Sequence, residues 1–475
     1  MLQTLRSIFY QRKRAMDPLI VVLGATGTGK SKLAVDIASR FNGEIINGDA
    51  MQMYRGLPVI TNQIPIEERK GIPHHLLSFI ELDSEPWRIS KFKNEALRLI
   101  DEIRSRGKLP ILVGGTHYYT QAVLFRDQLV NEKVGDEDGS ELYEEVSVTA
   151  EKWPILDAPP EVLMEKLREV DPVMAARWHP KDVRKIRRSL EIYFQTGQRA
   201  SDIYAEQKAL KKVSLLQDRG LLRFSNTLLF WVHTEKEVLD KRLDTRVDAM
   251  VQQGLMSEAQ KMSDYIQTRA AQGVEVDQTR GVWVSIGFKE MAPYFTALEK
   301  GESSQELTKI QLNCFDLIRI ANHQYGVSQV KWIKNKLWRA LSEADMTHRL
   351  YLLDSSDVDE WTKRVGEPSE RLVESFLQGE SIPHPKTISD LASTILGAKE
   401  EQTREKPVSQ LETFTCDICR KTMVGEDTWN THINGYKHKG VLKSRAKKEA
   451  RDAYFRKRDL EAQEAAASSA ENQLS

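Results

Sequence analysis

The sequence predicts an α/β fold: a P-loop parallel sheet covered by helices, a helical insertion domain, and a small C-terminal two-Cys two-His zinc finger. Three observations carry this. The apolar run Leu19–Leu23 leads into the glycine-rich turn Gly24-Ala25-Thr26-Gly27-Thr28-Gly29-Lys30-Ser31 and then a helical stretch to Phe41. Short apolar runs then alternate with helical segments, as in parallel sheets whose crossovers are helices. Near the C-terminus, Cys416, Cys419, His432 and His438 stand at metal-ligand spacing.

Composition bounds the rest. The 475 residues carry 69 Lys plus Arg and 69 Asp plus Glu, so the formal net charge is zero and a uniformly basic protein is excluded. Local clustering of charge, which matters more for nucleic acid, remains open. Hydrophobic residues make up 40% and charged residues 29%, a globular rather than a disordered balance. The apolar stretch Pro18–Ala25 falls far short of the roughly 20 residues that cross a bilayer, so no membrane partner is expected. Cysteine occurs only at 314, 416 and 419, which excludes a disulfide scaffold and fits a reducing compartment.

Residues 1–16 carry Arg6, Arg12, Lys13 and Arg14 and no acid, with Leu2, Leu5, Ile8 and Phe9 able to line one helical face. That pattern suits a mitochondrial targeting segment, and a disordered basic terminus is the alternative. Initiation at Met16 would remove it and spare the core, so mitochondrion, cytoplasm and nucleus are the expected locations. Residues 17–130 read as the P-loop core, with strands at Leu19–Leu23, Glu44–Asn47 and Leu109–Val113 and a helix from Ser31 to Phe41. Residues 131–225 read as a mainly helical insertion, and 226–380 as the remaining core and helical part. From about 155 to 350 the pattern is mostly helical. Residues 381–413, with the charged stretch Lys399–Ser409, read as linker; 414–440 as the finger; and 441–475 as a basic helix and polar tail.

The turn at 24–31 satisfies G-x-x-x-x-G-K-[ST] in its required context, after a strand and before a helix. Its backbone N–H groups can converge on phosphate oxygens, aided by the helix N-terminus. Lys30 neutralises a phosphate there, and Ser31 offers a hydroxyl to Mg²⁺. A P-loop by itself specifies phosphate, not ATP hydrolysis. The strand Leu109–Val113 ends in Gly114-Gly115 and not in the Asp that commonly holds Mg²⁺. Instead Ile45-Ile46-Asn47-Gly48 leads to Asp49, placed where strand ends face a ligand. Asp49 suits a base that meets an acceptor; a helix cap is the other reading.

These residues, with Asn47-Gly48-Asp49-Ala50-Met51-Gln52-Met53-Tyr54, Pro73-His74-His75-Leu76, Gly114-Gly115-Thr116-His117-Tyr118-Tyr119 and the run from Trp178 to Glu191, resemble the tRNA dimethylallyltransferase (tRNA isopentenyltransferase) family over roughly residues 17–340. The appended finger is similar to its eukaryotic form. The resemblance implies transfer of a five-carbon group from dimethylallyl diphosphate to N6 of the adenosine immediately 3′ of the anticodon, position 37, with release of diphosphate. It implies Asp49 as base, and Thr26, Lys30, Ser31, Arg246 and the loop amides of Gly24, Ala25, Gly27, Thr28 and Gly29 on the diphosphate. Without the resemblance, Arg246 reads as a solvated helical arginine paired with an acid.

An exocyclic adenine amine is conjugated with its ring and needs a carboxylate to orient it and take its proton. The base must leave its stack to reach Asp49. Gln52 could read a base edge or be a surface glutamine. His74 and His75 read as structural. Lys181, Arg184, Arg187 and Arg188 recur at helical spacing and form a basic stripe suited to the phosphates of the tRNA anticodon stem-loop. His323, Val327 and Ser328 stand where the family is often basic, and Gln63 where it commonly has Lys. These departures bear on tRNA affinity, not on chemistry.

Cys416-x2-Cys419-x12-His432-x5-His438 predicts a closed structural zinc site, with Phe414, Ile418, Trp429 and Ile433 as its small core. Ten Lys/Arg and two acids lie between Lys437 and Arg458, a patch suited to an RNA backbone. A monomer is expected, because nothing demands an oligomer. Two rival readings share parts of this pattern. A P-loop kinase of a small molecule would consume ATP and has no reason to carry a finger or basic stripe. A non-catalytic RNA-binding protein has no reason to keep Lys30, Ser31 and Asp49.

Overall fold

The structure, a computed structural model, describes residues 17–126, 153–180, 182–206, 221–404, 413–419, 421–424, 426–436, 438–446 and 449. The N-terminal segment 1–16, Lys181 and most of the basic tail lie outside these residues. Two compact units emerge, one within 1–134 and 211–405, the other within 135–210 and 406–475.

The first unit is built on a parallel sheet. Its elements run β1 (Leu19–Gly24), α1 (Lys30–Arg40), β2 (Gly43–Asn47), β3 (His74–His75), α2 (Ile89–Ser105), β4 (Leu109–Val113) and α3 (His117–Leu124). After the excursion into the second unit come β5 (Thr227–His233), α4 (Lys236–Gln253), α5 (Leu255–Ala271), α6 (Ala292–Glu299), α7 (Ser304–Trp332), α8 (Trp338–Glu343), β6 (Leu350–Asp354), α9 (Glu367–Gln378) and α10 (Asp390–Arg404). The strand order is β3-β2-β4-β1-β5-β6 and every pairing is parallel.

Apolar residues occupy both faces of β1. Leu19, Val21 and Leu23 join one core with Phe92, Ile100, Trp231 and Ile318, while Ile20 and Val22 join another with Leu33, Ile37, Phe230 and Tyr351. A strand buried on both faces reads as a continuous apolar run, which is why β1 was legible. The register aligns Val22 with Val113 and Val113 with Asn47, and places Gly24 beside Val232 and His233 beside Asp354. All the strand C-termini therefore share one edge. On that edge open the phosphate loop, the Asn47-Gly48-Asp49 turn and Gly114-Gly115.

Two corrections follow. The stretch from 155 to 350 is not purely helical, since β5 runs through its middle and β6 starts at its end. Thr-Leu-Leu-Phe-Trp-Val-His is rich in β-branched and aromatic residues and is buried from Thr227 to Val232. The region 381–413 is not all linker: α10 packs Ala392 and Leu396 into the core, and only 405–412 fall outside the described residues. Lys399–Arg404 therefore belongs to a helix. His74 and His75 are structural as expected: His74 Nδ1 donates to Ile72 O at 2.8 Å and His75 Nε2 donates to Glu44 at 2.7 Å.

In the second unit, helices Pro160–Val170, Pro172–Arg177 and Val183–Thr196 bury Leu163, Leu167, Ile186 and Leu190. The same unit holds a hairpin, Thr413–Cys416 with Lys421–Val424, and a helix Glu426–Asn434.

Candidate active site and zinc centre

The site forms where β1, β2 and β4 end and α4 and α7 cross above them. Lys30 turns its ammonium onto Ala25 O at 2.7 Å, and Thr28 Oγ1 donates to the same carbonyl at 2.9 Å. Burial, together with the nearby Arg246 charge, pushes Lys30 down to about 8 despite Asp49 close by.

Asp49 is held from both sides. Its N–H donates to Asn47 Oδ1 at 3.1 Å, and its Oδ1 accepts the Met51 N–H at 3.0 Å. Asp49 thus ties down the start of the turn Met51–Met53, although the cap position itself is Ala50 and not Asp49. The tie leaves Oδ2 turned toward Gly115, where an added Cβ would stand 3.0 Å from it and 2.7 Å from Gln329 Nε2. Only a glycine lets a carboxylate and an amide converge at that point. Burial raises the Asp49 pKa, and the charges of Lys30 and Arg246 partly oppose this. The carboxylate is thereby more basic than an exposed one.

Arg246, on α4, has no acidic hydrogen-bond partner among the described residues. Its two terminal nitrogens donate to Thr26 Oγ1 at 2.7 Å and Asn322 Oδ1 at 2.9 Å. Burial lowers its pKa to about 10, so it stays cationic at neutral pH. The reading of a solvated helical arginine is therefore wrong. Thr26 itself donates its N–H to Gln329 Oε1 at 2.8 Å, and Gln329 Nε2 donates to Gly115 O at 3.0 Å. One glutamine amide thus bridges the phosphate loop to the end of β4.

Sequence reasoning missed Asn322, Tyr325 and Gln329. The signal was present: they recur three and four residues apart on α7, where Asn322 and Gln329 are buried polar residues. A buried amide on a core-facing stripe requires partners, and here the partners are the site. His323 faces another way, its Nε2 donating to Asp240 O at 3.2 Å. His117 was also missed as a site neighbour. It is buried, stacks on Trp332 at 4.9 Å, and has no hydrogen-bond partner for either ring nitrogen among the described residues. Burial and the Lys30 charge press it down to about 3, so its imidazole is neutral.

Gln52 is partly exposed and is steadied by its amide, which donates to Asn62 O at 2.9 Å. Gln63 answers by donating to Gln52 O at 3.1 Å and Tyr54 O at 2.9 Å. Of the basic stripe, Arg184 and Arg188 are exposed, and Lys181 lies outside the described residues. Acids are less scarce than expected: Arg187 pairs with Asp157 at 2.8 Å and Glu191 at 3.3 Å, and Arg188 with Glu191 at 3.2 Å.

In the second unit, one ligand atom from each of Cys416, Cys419, His432 and His438 lies within 4.8 Å of the others. The Cys419 N–H points at Cys416 Sγ at 3.4 Å, and Phe414 stacks on Trp429 at 5.6 Å. Two thiolates and two imidazoles so gathered fit a closed tetrahedral zinc, structural rather than catalytic.

A phosphate loop at the end of β1, a buried carboxylate at the end of β2 and an arginine locked onto the loop define a P-loop group-transfer enzyme. The family described as IPP transferase matches residues 52–336, and a zinc finger of C2H2 type matches 414–438. The chain belongs to the IPP transferase family. It is 36% identical to the tRNA dimethylallyltransferase of Schizosaccharomyces pombe over 94% of this chain and 99% of that one. Against the Homo sapiens tRNA dimethylallyltransferase the figures are 35%, 90% and 86%. A crystal structure of a eukaryotic dimethylallyltransferase acting on tRNA matches with a TM-score of 0.68 at 32% identity, covering 92% of this chain and 99% of that one.

Proposed function

We propose that this enzyme transfers the dimethylallyl group of dimethylallyl diphosphate to N6 of adenosine 37 in tRNA, acting as a monomer. The observation that carries this reading is the convergence of Asp49, Lys30 and Arg246, from three separate segments, at the strand ends, where their charges act on one another. The chain's kinship with tRNA dimethylallyltransferases supplies the chemistry that convergence serves.

Asp49 orients the N6 amine and accepts its proton as the new C–N bond forms. The C–O bond of the donor breaks, and its electrons stay with the leaving diphosphate. Lys30, Arg246, Thr26 and the amides of residues 24–31 stabilise that growing charge, the kind of preorganised contact expected to dominate catalysis. Mg²⁺ is the proposed cofactor. Ser31, partly exposed at the start of α1, supplies a hydroxyl for it, and the metal when bound neutralises diphosphate charge. The proposed tRNA contacts are Gln52 for the base and Lys181, Arg184, Arg187 and Arg188 for the backbone.

The test is the Asp49→Ala enzyme. Transfer should vanish while tRNA binding survives. Parallel loss of binding would make Asp49 structural.

A further inference from the structure

The phosphate loop divides the edge of the sheet into two halves. On the β2–β4 side stand Asp49, Gly115 and Thr116, where the acceptor must arrive. On the β5–β6 side the chain leaves β6 at Asp354, and Ser355 and Thr234 bond each other at 2.7 Å beside it. The chain then returns to the loop at Trp361.

The Trp361 indole lies directly against the loop. A Cβ built on Gly29, whose φ is +90°, would stand 2.6 Å from both Cη2 and Cζ3 of the ring. Lys32, two residues past the loop lysine, places its ammonium 5.0 Å from the ring centroid. Behind it the ring is packed on the core that contains Leu33, Ile37, Val365 and Phe376. A π-helical turn, Thr362–Gly366, sets its position. The ring thus stands as an aromatic wall at the Gly29 end of the loop, beside the start of α1, at the sheet edge where such folds commonly leave a crevice.

We propose that Trp361 closes this end of the cradle and limits it to a terminal diphosphate. Nucleoside diphosphates and triphosphates present the same phosphate chemistry but carry a ribose and base beyond it. The indole fills the space those groups need, and rejection by a filled pocket is a recognised source of specificity. This inference rests on the reading that the donor's diphosphate occupies the loop.

The test compares inhibition of transfer by inorganic diphosphate and by ADP in the full-length enzyme and in Trp361→Ala and Trp361→Leu. In the parent, ADP should inhibit far more weakly than diphosphate. In Trp361→Ala the ratio of the two inhibition constants should narrow by about tenfold or more, the scale on which pocket shape discriminates. Trp361→Leu should fall between, and it carries the comparison if the alanine variant does not fold. An unchanged ratio, or ADP as potent as diphosphate in the parent, overturns the proposal. Failure of inorganic diphosphate to inhibit the parent would instead overturn the diphosphate reading of the loop, and the inference with it.

Discussion

Arg246 lies 220 residues from Thr26 in the chain, yet its guanidinium bonds the Thr26 hydroxyl and the Asn322 amide together. A planar fork presents both contacts in one fixed geometry, whereas a lysine offers a compact point charge on a flexible stem. Arg246→Ala should lower single-turnover transfer by about 10²–10³-fold, and Arg246→Lys should recover only part. Equal rates in the parent and the alanine variant would remove Arg246 from the mechanism. Lys30 sets a pH dependence. Because burial holds it down to about 8, its charge is present below that value and lost above it. kcat/KM for dimethylallyl diphosphate should therefore decline as pH rises through about 8, and a profile flat across that value contradicts the role given to Lys30. Asp49 and Lys30 were legible in the sequence because each sits at a fixed offset from a strand end. Arg246 was placed by family resemblance alone, since its partners come from distant segments that spacing cannot join.

Among the elements, α7 is the latch of the site. Gln329→Leu keeps the bulk of the side chain but strips partners from the Thr26 N–H and the Gly115 carbonyl. Each buried group left without a partner costs about 1–3 kcal/mol. The variant should raise KM for the donor more than Ser328→Ala on the exposed side of the same helix, measured side by side; equal KM values would mean the bridge does not shape the loop. At the other side of the sheet, Glu44 of β2 is buried and accepts from His75, Arg106 and Lys108 at 2.7, 2.7 and 2.8 Å. Those partners outweigh its burial and hold its pKa at about 2, against an ordinary 4.5. Its contribution to stability is thus complete above the ordinary value and lost as pH falls toward 2. Glu44→Gln should destabilise the fold by about 1–3 kcal/mol at neutral pH and by progressively less in acid. A constant difference down the pH range would contradict this. β1, β2 and β4 were legible from their apolar runs, while β5 was hidden inside a long helical stretch and β6 begins only at its end. β3 has only two residues, His74 and His75, too few to show a period.

For the whole molecule, the proposed chemistry and the proposed grip on tRNA fall in different units. The phosphate loop, Asp49, Arg246 and Gln329 all belong to the first unit, and the zinc ligands belong to the second. Cys416→Ser should therefore weaken tRNA affinity and flatten its salt dependence, while single-turnover chemistry at saturating tRNA stays mostly intact. Loss of that chemistry would contradict the division. The zinc ligands were fully legible because a metal demands fixed residue types at short spacing. The basic stripe was legible as a pattern, but its pairing with Asp157 and Glu191 required the fold.

The central claim is the transfer itself, and one assay tests it most directly. Purified enzyme is incubated with labelled dimethylallyl diphosphate, Mg²⁺ and a tRNA bearing adenosine at position 37, and the tRNA is then digested to nucleosides. Label on N6 of that adenosine is the predicted result. Unlabelled tRNA across several such substrates, with ATP consumed on a small acceptor instead, would contradict it.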